Sequence, residues 1–131
     1  MIVSEPAAVF ISLRPAERAE PGEPLVLGVD GELDDATAAE FGALLAAAAG
    51  HGAGPDVLLD LGRLYRLDAA GLDALAEAAA VLARSGRQLA LAAVRPRVRE
   101  FLALVGAEAL VPVYPSVAEA GRYVRLGRLE R

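Results

Sequence analysis

The chain contains no cysteine, no tryptophan and no lysine, and His51 is its only histidine. Without thiols there are no disulfides, no thiol catalysis and no cysteine-based zinc site. Without lysine there is no Schiff base, no phosphate-loop lysine and no kinase lysine, and all thirteen basic residues are arginine. A lone histidine excludes multi-histidine metal centres. No run of about 18 uncharged apolar residues occurs, so nothing reads as a membrane span. The opening MIVSEPAAVF lacks a basic stretch followed by a long apolar one, so no secretory signal is expected. Together these absences point to a cytoplasmic protein with no cofactor, no metal and no membrane partner.

What remains is 131 residues, 55% hydrophobic and 24% charged, which predicts one domain over residues 1–131 with its core over about 8–126. Alanine supplies roughly a fifth of the residues, well above ordinary usage. The net charge of −5 and a pI near 4.9 argue against nucleic acid, whose backbone requires a concentrated basic face. The charge is unevenly spread. Met1 to Asp60 carries Arg14 and Arg18 against eleven acids, and Leu61 to Arg131 carries eleven arginines against seven acids. Ordinary solvated helix faces and a two-signed docking surface both fit that distribution.

Two short apolar runs, Ala8 to Leu13 and Pro24 to Val29, flank the polar, Pro- and Gly-bearing RPAERAEPGE and predict an antiparallel strand pair. Beyond Gly31, Phe41, Leu44, Leu45 and Ala48 fall at helical spacing. Thr37 with Glu40 offers a capping box, and Gly50 ends this first helix ahead of the loop GHGAGP. Asp56 to Leu64 reads as a buried strand. Asp68 then precedes a second helix whose Leu72, Leu75, Ala79 and Leu82 share one face, while Asp73, Glu77 and Arg84 share another. Gly86 closes that helix. Arg87 to Val94 is the next strand, and Pro96 opens a third helix carrying Val98, Phe101, Leu102 and Val105 up to Gly106. Ala109 to Val113 is a last short strand, with Ser116 and Glu119 boxing a terminal helix to about Leu126. The order β-β-α-β-α-β-α-β-α predicts an α/β domain whose mixed, mostly parallel sheet opens with a hairpin.

In such a sheet the loops leaving the carboxyl ends of the strands share one edge, where sites form. That edge is expected to gather Asp34, Asp35, Asp68, Arg95, Arg97 and Ser116. Helix capping accounts equally for Asp34, Asp35, Asp68 and Ser116. Arg95 and Arg97 flank a helix start, where positive charge is unfavourable, so a partner or a neighbouring acid is expected for them. His51, between glycines, reads as a solvated loop residue. No Gly-x-Ser-x-Gly elbow is present, and GHGAGP lacks the Gly-Lys-Ser/Thr end of a phosphate loop. Three acids at strand ends could hold Mg²⁺ as in a response-regulator receiver, but the lysine expected at a receiver's last strand is missing. A non-enzymatic protein is therefore expected.

Several strings, in order, resemble the STAS domains of the anti-sigma factor antagonist family. Gly31-Glu32-Leu33-Asp34 with Thr37-Ala38 is similar to the GELD motif opening the family's first helix. Leu59-Asp60-Leu61, then Leu67-Asp68-Ala69-Ala70-Gly71-Leu72, resembles its DLS and DSSGL segments. Gly86 with Gln88 to Leu91, Pro96 to Arg99, and Tyr114 to Ala120 resemble its later signatures, so the likeness runs from about Ala8 to Val124. It implies a STAS-like fold and a protein that docks onto an anti-sigma factor, typically a GHKL-type serine kinase. In the family that binding is switched by phosphorylating the first serine of DSSG. Here the position is Ala69 and the second serine is Ala70, so neither carries a hydroxyl.

The resemblance thus implies an antagonist that is not switched off at this site, since no phosphate of about −1.5 to −2 charge can be placed there. The implied partner surface comprises Asp34, Asp35, Asp68, Ala69, Ala70, Gly71 and Asp73, bordered by Arg95 and Arg97. Asp34 and Asp68 come from the motif match, and Asp73, Arg95 and Arg97 from expected position. The alternative is a ligand-sensing module, for a nucleotide or other anion, or a scaffolding STAS module outside the partner switch. Self-association is left open.

Overall fold

A computed structural model describes residues 10–15 and 22–129, with side chains as far as residue 123. Ala8, Val9 and the polar connection over 16–21 lie outside the described residues. The chain runs β1 Ile11–Pro15, β2 Leu25–Leu33, α1 Ala38–Ala49, β3 Val57–Leu67, α2 Ala69–Ala83, β4 Leu89–Ala92, α3 Pro96–Leu104, a 3-10 turn Ala107–Ala109, β5 Val113–Tyr114 and α4 Val117–Leu129. The opening hairpin is antiparallel, with Leu13 opposite Val29. Every later pairing, β2 with β3, β3 with β4 and β4 with β5, is parallel.

The five strands lie side by side in chain order. Each crossover helix therefore returns the chain to the next position on the same side, and crossovers of one hand stack α1, α2 and α3 on one face. Their buried residues Phe41, Leu45, Leu75, Leu82, Val98 and Leu102 share a core with Leu27, Val29, Val57, Leu59 and Leu91 of the sheet. The opposite face has a smaller core of Leu58, Ala90 and Ala92 under Ala120 and Val117 of α4. Alternate residues of β2 and β3 thus serve two layers, as strand periodicity requires.

Several boundaries differ from those expected. β2 continues past Val29 to Leu33 and β3 past Leu64 to Leu67, because two irregularities in their pairing let β3 carry extra residues opposite β2. The buried positions of distal β3 are consequently Leu61, Leu64 and Leu67, three apart, with Arg63, Tyr65 and Arg66 exposed between them. The expected strand over Ala109 to Val113 is instead the 3-10 turn followed by Val113–Tyr114. Ala107 turns into the core there, and Pro112, lacking an N–H, offers only its carbonyl, which accepts from Leu91 N–H at 2.9 Å. Gly86, at a left-handed φ of 73°, closes α2 as expected: its N–H donates to Ala83 O and that of Arg87 to Leu82 O, both at 3.0 Å.

Candidate functional site

The register Leu33↔Leu67 brings the chain out of the sheet at two adjacent points, one leading to α1 and the other to α2. At the first, Asp34 is buried and its Oδ1 accepts the N–H groups of Ala36 at 2.9 Å and Thr37 at 3.2 Å. Thr37 is also buried, but it does not cap α1 through the expected box with Glu40: no side-chain cap bond forms. A hydroxyl has one hydrogen to give, and that of Thr37 goes back to Glu32 O at 2.7 Å while its oxygen accepts Asp34 N–H at 3.0 Å. The carboxylate of Asp34 supplies the turn's other acceptor. It therefore shapes the loop from beneath, and Asp35 is the acid displayed at the surface.

At the second exit, Asp68 adopts extended backbone and its Oδ1 accepts Gly71 N–H at 2.9 Å, the N-cap expected from its position before α2. Its own N–H donates to Leu33 O at 3.4 Å. Gly71 is buried directly on β2, where a Cβ would overlap the Leu33 carbonyl oxygen and lie 2.7 Å from Leu67 Cδ1. This close approach seats the first turn of α2 against the sheet and turns Ala69 outward. Ala69 and Asp73 are exposed, Ala70 and Asp68 half-buried. The displayed surface is therefore a smooth alanine step rimmed by Asp35, Asp68 and Asp73.

Arg95 does not meet an acid. It holds the N-cap position of α3, donates from a terminal nitrogen to Gly62 O at 3.3 Å, and its guanidinium carbon lies 4.6 Å from the ring centroid of Tyr65. Arg97 is exposed and forms no ion pair among the described residues. Between β4 and Arg95 the chain turns at Ala93, whose φ of 58° is left-handed. Ser116 serves α4, its Oγ accepting Glu119 N–H at 3.1 Å.

Two features had no counterpart in the sequence reading. Arg87 is buried, with Nε donating to Pro55 O at 2.8 Å and a terminal nitrogen to Gly50 O at 3.3 Å, so it ties the GHGAGP loop to the start of β4 at the edge opposite the site. A groove of about 360 Å³ also separates α1 from α2, lined largely by small residues such as Gly42, Ala46, Ala74 and Ala78, with exposed His51 at its end. Small residues three and four apart on both helices were its only sequence signal.

The chemistry available at the carboxyl edge is limited. Strand order that never reverses creates no switch-point crevice of the kind that holds ligands in open α/β sheets. Among the described residues, no cluster of three or more histidine, aspartate or glutamate side chains could hold a metal ion.

The family model described as "Mlab, STAS domain" matches residues 16–112, well over half of the chain. The chain belongs to the STAS domain family. Among solved structures, this STAS domain is similar to an anti-sigma factor antagonist from Mycobacterium paratuberculosis, with a TM-score of 0.73 and 25% identity over 94% of this chain and 99% of that one. The anti-sigma factor antagonist SpoIIAA in its unphosphorylated form gives 0.66 and 22% identity, over 88% and 96% of the two chains. The murine anion transporter Slc26a9 gives 0.71 and 20% identity over 79% of this chain. The STAS domain spans only 18% of that transporter's length. No curated protein matches it. Among the described residues, no helix is long and apolar enough to cross a membrane.

Proposed function

We propose that this STAS domain is a non-catalytic cytoplasmic docking module, an anti-sigma factor antagonist that binds a GHKL-type serine kinase acting as anti-sigma factor. In this reading it is not switched off by phosphorylation at the start of α2. One observation carries the reading: Asp68 caps α2 and Gly71 seats it on β2, so Ala69 is displayed at the position that the DSSGL resemblance assigns to the phosphorylated serine. The likeness to the Mycobacterium paratuberculosis antagonist over nearly the whole of both chains supports it.

Ala69 is exposed, so a larger side chain there projects into the partner and leaves the fold intact. Incubated with a cognate anti-sigma kinase and ATP, the wild-type chain is expected to form a complex and remain unlabelled, whereas Ala69→Ser acquires the label. Ala69→Glu, placing negative charge beside Asp68, is expected to weaken the complex by about tenfold or more. Failure to bind any such kinase from the same genome sinks the reading. The likeness to Slc26a9 favours a second reading, a scaffolding STAS module outside the partner switch. It predicts no kinase complex at all, and co-purification with a membrane transport assembly from the native organism.

A further inference from the structure

Beside this docking surface, β3 outruns its neighbour. Its pairing with β4 ends at Asp60↔Ala92, where Ala93 turns the chain away. Among the described residues, β3 from Leu61 to Leu67 therefore has β2 on one side and no strand on the other; Gly62 is held there by side chains, its N–H donating to Asp60 Oδ1 at 2.9 Å and its carbonyl accepting from Arg95 at 3.3 Å. The two pairing irregularities bring Arg63 opposite Asp30 and Arg66 opposite Glu32, which places both arginines on the same face of the sheet with Tyr65 as the extra residue between them. Tyr65 is exposed, and Arg95 stacks over its ring from the β4 side.

The charges here are only partly neutralised internally. Asp30 is held by Arg14 Nε at 2.8 and 2.9 Å, and Arg63 reaches it only at 3.8 Å. Arg66 and Arg95 have no acid within ion-pair distance among the described residues. In a chain of net charge −5, Arg66 and Arg95 leave two guanidinium groups without an ion-pair partner beside one open strand edge. Such a site complements carboxylates.

We propose that the open side of distal β3 takes up an extended, acidic peptide segment of the docking partner. The segment adds as a strand along β3 beyond Gly62, the Arg95 side chain swinging off Tyr65 to admit it, with carboxylates at alternate positions facing Arg63 and Arg66. Main-chain hydrogen bonds to β3 supply affinity and the arginines supply selectivity, the division of labour in strand addition. A nucleic acid backbone fits less well, because it has no alternating N–H and C=O groups with which to extend the sheet. The partner's identity rests on the docking reading above; the peptide site itself does not.

The test uses the intact chain alone. A fluorescein-labelled octapeptide alternating glutamate and valine is titrated by anisotropy, beside the same peptide with lysine for glutamate, two versions N-methylated at alternate residues, and an oligothymidylate. The acidic peptide is expected to bind, to lose about tenfold in affinity with Arg66→Glu plus Arg95→Glu, and to be unaffected by Arg84→Glu at the far end of α2. At least one methylated version is expected to lose binding. All three arginines are exposed, and urea midpoints confirm folding; should the double variant not fold, Arg66→Glu alone carries the comparison. No binding, equal binding of the lysine peptide or oligothymidylate, full binding of both methylated peptides, or an equal loss with Arg84→Glu overturns the proposal. Kinase-complex assays report separately, so either reading fails without the other.

Discussion

Two helical glycines, Gly42 and Gly71, are expected to respond to alanine in opposite directions. In α1 a Cβ on Gly42 meets nothing within 4 Å, so Gly42→Ala collects the helix-propensity difference of about 0.5–1 kcal/mol. On α2 the same gain is at most about 1 kcal/mol, and it is opposed by overlap of the new methyl with the Leu33 carbonyl oxygen. A carbonyl in a paired strand cannot rotate away, so the start of α2 has to lift from β2. Overpacking of that kind costs about 1–3 kcal/mol. Lifting also stretches the 2.9 Å bond from Gly71 N–H to Asp68 Oδ1, a cap contributing about 1 kcal/mol. Gly71→Ala is therefore expected to destabilise by about 1–3 kcal/mol, and Gly42→Ala to stabilise. The chain has no tryptophan, so urea unfolding is followed by far-UV circular dichroism. A midpoint for Gly71→Ala equal to or above wild type, at an unchanged slope, refutes the argument that close approach to β2 selects glycine there.

Two further variants probe the surroundings. Thr37→Val keeps the volume but leaves Glu32 O and Asp34 N–H without the hydroxyl they share, a cost of about 1–3 kcal/mol by urea melts that Thr37→Ser largely avoids. Wild-type stability in Thr37→Val contradicts the hydrogen-bond assignment. Ala93→Gly relieves a left-handed alanine, and is expected to stabilise by about 0.5–1 kcal/mol after the extra backbone freedom of glycine in the unfolded chain is subtracted. Destabilisation would show that contacts of the Ala93 methyl outweigh its backbone strain.

How far the fold was legible depended on whether a residue's role was local. Asp68 and Ser116 cap the helices that follow them, and Gly86 closes α2, because caps and stops act over three or four residues of chain. Element order and the opening hairpin followed from periodicity for the same reason. The Thr37 and Glu40 pair matched the capping pattern and yet serves the strand before it, since the backbone at Thr37 points its hydroxyl back to Glu32. Distal β3 was illegible because the bulges space its buried leucines three apart, which is not a strand's period. A charged neighbour was sought for Arg95, but the group it meets is Tyr65, the extra residue of a bulge that local pattern does not announce. The buried position of Arg87 depends on carbonyls of a loop more than thirty residues away, and no local pattern announces such a contact.

Among the described residues α4 is the one helix on its face of the sheet, and this bears on how the nascent chain is exposed during synthesis. Strands laid down in chain order let the larger core close progressively, each helix covering sheet already present. Leu58, Ala90 and Ala92 have no such early cover, because the helix that shields them is made after all five strands. Until it leaves the ribosome, an apolar strip across β3 and β4 faces water, and that interval is when the growing chain is most open to chaperones or to aggregation.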